Sequence, residues 1–113
     1  MVTHRTFIAT YIMASGRNGT LYTGVTANLQ ARVWQHRTGT FDGFTRQNRC
    51  TRLVWFQRFA WVVEAIGCEK QIKAWKRDWK LALIERENPQ WRDLAAEWFP
   101  VNGPDRVPPE EPD

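Results

Sequence analysis

The chain has 113 residues, 42% of them hydrophobic, with seven Trp, six Phe and a net charge of +4. That length holds one domain and enough apolar surface for a core. It offers no apolar run of the ~18 residues a membrane helix needs, and no Cys-x-x-Cys pair to suggest a zinc site or disulfide framework.

Cys50 and Cys68 read as reduced thiols of a cytoplasmic protein, with Cys68 in the core. The apolar stretch from Phe7 to Ala14 is too short, and too interrupted by Thr10 and Tyr11, for a signal segment. The charge is unevenly placed: residues 1–86 carry +9 and residues 87–113 carry −5. A basic body suits a polyanion such as nucleic acid. The Pro-rich acidic end, 99–113, reads as a disordered tail on a domain at 1–98.

In chain order, Phe7 to Ala14 is a strand, and Asn18-Gly19 is a hairpin signal that returns the chain as a second strand over 20–25. That pairing puts Tyr11 and Tyr22 on one sheet face. Gly24 allows either a turn or a close approach to the backbone. Thr26 is the expected N-cap of a helix over 27–37. On it Asn28, Arg32 and His36 follow at i, i+4, i+8 and share a face, with Leu29 and Val33 as a separate apolar pair. A long polar loop follows, containing Phe44-Thr45-Arg46 and Arg49. Thr51 to Phe59 is a third strand with a buried-looking run at 53–56. Residues 61–76 repeat at helical spacing through Ala65, Cys68, Ile72 and Trp75, with Glu69 on the flank of that stripe and Gly67 weakening it. A helix over 77–86 is followed by a short one at 89–98, with Asn88 as N-cap and Pro89 at its first position. The fold class expected is α/β, of the α+β sandwich type: a small three-stranded antiparallel sheet flanked by helices.

A phosphodiester over Tyr11, Tyr22, Arg32 and His36 would meet groups able to hydrolyse it. Arg32 offers a permanently charged fork for phosphate oxygens. Glu69 is a hard oxygen ligand, and Mg²⁺ often takes only one or two carboxylates while keeping its waters. A tyrosine is an unusual base with a reference pKa near ~10, and neighbouring cations lower it.

Tyr11, then Tyr22-Thr23-Gly24, then Asn28-Leu29-x-x-Arg32-x-x-x-His36, then Glu69-Lys70-Gln71-Ile72-Lys73-x-Trp75 resembles the GIY-YIG nuclease superfamily. Leu21-Tyr22-Thr23-Gly24-Val25-Thr26, Phe44-Thr45-Arg46 and Asn88-Pro89-x-Trp91-x-Asp93-Leu94 resemble its small single-domain branch. The likeness covers about residues 6–98. It implies metal-dependent cleavage of DNA phosphodiesters, on branched, nicked or damaged DNA, with one Mg²⁺ or Mn²⁺. Tyr11 and Tyr22 would line the site, Tyr22 as the favoured base. Arg32 would bind the scissile phosphate, His36 would orient or accept a proton, Glu69 would hold the metal and Asn88 would support the site. Arg37, Thr45, Arg46, Arg49, Lys70 and Lys73 would contact DNA. Ala9-Thr10 replaces the usual Gly-Ile before Tyr11, Val25 replaces a lysine found in some branches, and Phe44 stands where a hydroxylated ring is usual. A domain this small leaves substrate selection to a second copy or a partner protein.

Each residue also has a plainer reading. The tyrosines fit an ordinary sheet, Arg32 fits a solvated helix face, and His36 fits a helix C-terminus. Glu69 fits an i, i+4 pair with Lys73. Asn88 fits a simple cap, and the tryptophans fit a core. The alternative for the whole chain is a nucleic-acid-binding module that keeps the fold and has lost efficient turnover.

Overall fold

The computed structural model describes residues 7–39 and 47–99. Phe44, Thr45, Arg46 and most of the expected tail lie outside them. Three strands, β1 (Ile8–Ala14), β2 (Leu21–Thr26) and β3 (Arg52–Phe59), form one antiparallel sheet in the order β2-β1-β3. The helices described beside it are α1 (Leu29–Thr38), α2 (Val62–Ala74) and α3 (Arg77–Glu87). The α+β expectation holds, with element ends shifted by only a few residues.

β1 is central and covered on both faces, so its side chains are buried from Ala9 to Ala14 without alternation. Ala9, Tyr11 and Met13 face α1, packing with Leu29, Val33 and Leu53. Ile12 and Ala14 face the other way, with Val54, Trp55, Ile72, Ile84 and Trp91. Burying a residue such as Leu29 or Ile72 stabilises the fold by about 1.5–3 kcal/mol. The β1–β3 register slips between Ile12 and Met13, which pair with Trp55 and Leu53 and pass over Val54. This bulge turns Val54 and Trp55 to the same face, which explains the buried run read from the sequence. On that face Thr10 Oγ1 donates to the Ala65 carbonyl at 2.7 Å and ties α2 to the sheet.

The hairpin forms around Asn18-Gly19 as expected. Six residues connect the strands, closed by bonds between Ser15 and Thr20 and between Gly19 and Gly16, with Asn18 left-handed at φ 57°. The cap of α1 differs from expectation. Thr26 stays in the sheet opposite Ala9, and its hydroxyl accepts the Asn28 N–H at 3.0 Å. Asn28 takes the cap, its Oδ1 accepting from Ala31 at 3.1 Å. Gly39 ends α1 in the left-handed region at φ 75°. α2 starts at Trp61 without a side-chain cap.

The helix expected over 89–98 is absent, and the segment is a series of turns. Its backbone is claimed by β3. Leu94 donates to the Leu53 carbonyl at 2.8 Å, and Asp93 Oδ1 accepts from Leu53 and Ala95. The segment passes around the Leu53 end of β3, so Trp91 packs on one side of the sheet and Ala95, Trp98 and Phe99 on the other. Phe99, placed in the tail by composition, packs edge-on against Trp34 with 5.4 Å between centroids. Most tryptophans serve the core: Trp55 and Trp91 are buried in it and Trp75 and Trp98 pack against it, while Trp61 and Trp79 are exposed.

Candidate active site

β1 and β2 pair so that Tyr11 lies opposite Gly24 and Met13 opposite Tyr22. Tyr11 and Tyr22 are therefore diagonal neighbours on the α1 face. Their ring centroids are 6.3 Å apart. His36, in the last turn of α1, meets both edge-on, at 5.6 Å from Tyr11 and 5.2 Å from Tyr22. Its Nε2 shares a 3.0 Å hydrogen bond with the Tyr11 hydroxyl. The imidazole is 1% exposed and turned into the domain rather than left at the helix end.

Gly24 makes this cluster possible. A Cβ at position 24 would lie 2.7 Å from the Tyr11 hydroxyl and 2.8 Å from its Cζ. The glycine is therefore not a turn residue but the floor beneath a phenol. Tyr11 is 0% exposed, whereas Tyr22 is half-buried. Arg32, one turn before His36 on the same side of α1, is half-buried. Three of the expected site residues thus come together, with Arg32 beside them.

Glu69 arrives differently. It belongs to α2, which packs through Ala65 and Ile72 on the opposite sheet face. Its side chain is only 17% exposed and pairs with Lys73 at 2.8 Å, the i, i+4 contact open to it from sequence. No group of three His, Cys, Asp or Glu able to hold a metal occurs among the described residues. A lone carboxylate does not suit zinc, but it suits Mg²⁺ that keeps its water shell. The donor chemistry therefore fits that ion with Glu69 as its protein ligand.

Asn88 stands apart from the rings. It caps the end of α3, and its amide donates to the Val54 and Arg92 carbonyls while its oxygen accepts from the Arg92 N–H. Its side chain is committed to holding the 88–92 turn on β3. Arg37, expected on phosphate, instead pairs with Asp93, donates to the Ala95 carbonyl and lies 5.1 Å from the Phe99 ring centre. These partners make Arg37 a clamp on the C-terminal segment, because its helix position faces that segment. Arg49 and Lys70 are exposed, and Lys73 is the partner of Glu69. Burial raises the Cys68 thiol above its ordinary pKa, partly countered by a hydrogen bond with Thr10. Asp93 belongs to the Asn88-Pro89-x-Trp91-x-Asp93-Leu94 stretch, but nothing in that spacing signals that a distant arginine needs it.

The family described as the GIY-YIG catalytic domain matches residues 7–82. A UPF0213 protein of Staphylococcus haemolyticus is 36% identical over 69 residues, covering 61% of this chain and 84% of that protein. A UPF0213 protein of Staphylococcus saprophyticus is 34% identical over 68 residues, covering 60% and 83%. The solution structure of a UPF0213 protein from Bacillus halodurans aligns over 80% of this chain and 96% of that one, at 25% identity and a TM-score of 0.49. With the family covering both strands of the tyrosine hairpin, α1 and α2, this chain belongs to the GIY-YIG nuclease family.

Proposed function

We propose that the protein is a metal-dependent endonuclease of the cytoplasm that hydrolyses DNA phosphodiesters on branched, nicked or damaged DNA, in repair or recombination. The observation that carries this reading is the Tyr11–His36–Tyr22 cluster on one sheet face, with Arg32 a helical turn away. β2 is an edge strand, met by His36 of α1 through Tyr22 and contacted also by α2.

Burial separates the two phenols. The sealed Tyr11 fixes His36 through their hydrogen bond. Half-buried Tyr22 meets water and substrate, and serves as the base that accepts the proton of the attacking water. Arg32 holds the phosphate oxygens and opposes the charge that develops on them. Glu69 would hold the divalent ion, which when bound polarises the phosphate and acidifies water. No helix among the described residues is long and apolar enough to cross a membrane.

Incubation of the protein with nicked or branched duplexes and Mg²⁺ or Mn²⁺ tests this. Tyr22→Phe and Glu69→Ala are each expected to lower the cleavage rate by about 10²-fold or more, the range of a general base. A folded, metal-supplied sample that leaves every such duplex intact would overturn it. The Glu69–Lys73 pair favours one second reading, in which the acid serves the helix surface and the domain binds nucleic acid without cutting. That reading predicts salt-sensitive binding unchanged by the same two substitutions.

A further inference from the structure

A second feature on the tyrosine face is an open cleft of about 330 Å³ lined by Phe7, Gln30, Phe56, Arg58 and Trp98. We propose that this cleft receives a single unpaired nucleobase of the DNA held at the ring cluster. The proposal rests on the nuclease reading for the identity of the polymer, and on the cleft for the form in which it is bound.

The three aromatic side chains belong to the same packed group as Tyr11, and Phe56 is its cross-strand partner on β3. Phe7 and Phe56 lie 6.1 Å apart and 32° from parallel, and Trp98 meets Phe56 edge-on at 6.0 Å. All three are only half-buried. The guanidinium of Arg58 lies 4.2 Å from the Phe7 ring centre. On the α1 side, Gln30 donates to the Trp98 carbonyl at 3.5 Å.

Each component answers to a base. Aromatic side chains stack on bases with about 1–3 kcal/mol per base and little regard for sequence. A carboxamide carries both donors and an acceptor, as base edges do. A guanidinium stacked on a ring attracts both the base face and the adjoining phosphate. The volume is at the low end of the ~300–1,000 Å³ of small-molecule sites, which favours one heterocycle over a pair. Tyr11 lies four residue steps along the chain from Phe7, a span of roughly 13 Å. That is about four stacked nucleotides at ~3.4 Å each. A base in an intact duplex is held within its stack, so only a bulged, frayed or extruded base could enter. A preference for irregular DNA would then come from the catalytic domain itself.

The test uses the full chain without metal, so that no cleavage occurs. Duplexes carry one 2-aminopurine, either bulged or paired, at successive distances from a nick. Quenching by stacking is expected on binding for the bulged base and not for the paired one. Arg58→Ala with Gln30→Ala is expected to remove most of that quenching and weaken bulge binding by about tenfold, within the range of one stacked base. Gln30→Trp, which fills the cleft, should do the same, and circular dichroism establishes that both variants fold. Quenching that is absent, equal for paired and bulged bases, or unchanged in both variants overturns the proposal. Cleavage without bulge-specific quenching would leave the nuclease reading standing and remove the cleft. Quenching lost in both variants, with no cleavage of any duplex when metal is restored, would support the cleft and remove the nuclease.

Discussion

Gly24 and Tyr11 carry the residue-scale argument. The contact distances leave no room for a methyl at position 24 without moving the phenol. Gly24→Ala should therefore destabilise the fold by about 1–3 kcal/mol, as overpacking does, and disturb the Tyr11–His36 bond. Chemical denaturation measures the first effect and cleavage rate the second. The two tyrosines should separate under the same pair of assays. Tyr11→Phe removes one partner of a buried hydrogen bond and should cost about 1–3 kcal/mol of stability. Tyr22→Phe, at a half-buried position, should cost less stability than Tyr11→Phe and lose activity. Equal stability losses would argue that both phenols are simply packing. The sequence showed that two tyrosines share a sheet face, because strand alternation is local. It could not show which one is sealed, since that depends on where α1 docks.

At the scale of elements, strands and helices followed their patterns, and the one failure was the C-terminal helix. Asn-Pro ahead of spaced apolar residues is a sound helix signal, yet β3 offers the segment a better set of partners. Asn88→Ala would strand the Val54 and Arg92 groups it satisfies, and should cost about 2 kcal/mol or more. A residue acting only in catalysis would lower the rate and leave the denaturation midpoint in place. The opposite change is available on α2. A Cβ at Gly67 meets nothing within 4 Å, and the residue is exposed in a regular helix. Gly67→Ala should raise stability by about 0.5–1 kcal/mol with no change in activity.

Across the whole molecule, a basic body and a family of nucleases point to DNA held partly by charge. Affinity should fall at least about tenfold between 50 and 200 mM salt if three or more phosphates are contacted. Fluorescence anisotropy at stepped salt would measure it, and a flat response would remove the electrostatic contribution. What the sequence by itself determined was the order of elements, the pairing of the tyrosine hairpin and the set of chemistry-bearing side chains. Those follow from periodicity, turn residues and motif spacing, all of which act over short stretches of chain. Tertiary structure alone decided that Arg37 is a clamp, that Asn88 braces a turn on β3, that the helix bearing Glu69 packs on the sheet face opposite the rings, and that Trp98 comes to line a cleft. Each of those outcomes depends on which partner waits at the end of a long-range contact, and spacing along one chain carries no record of that.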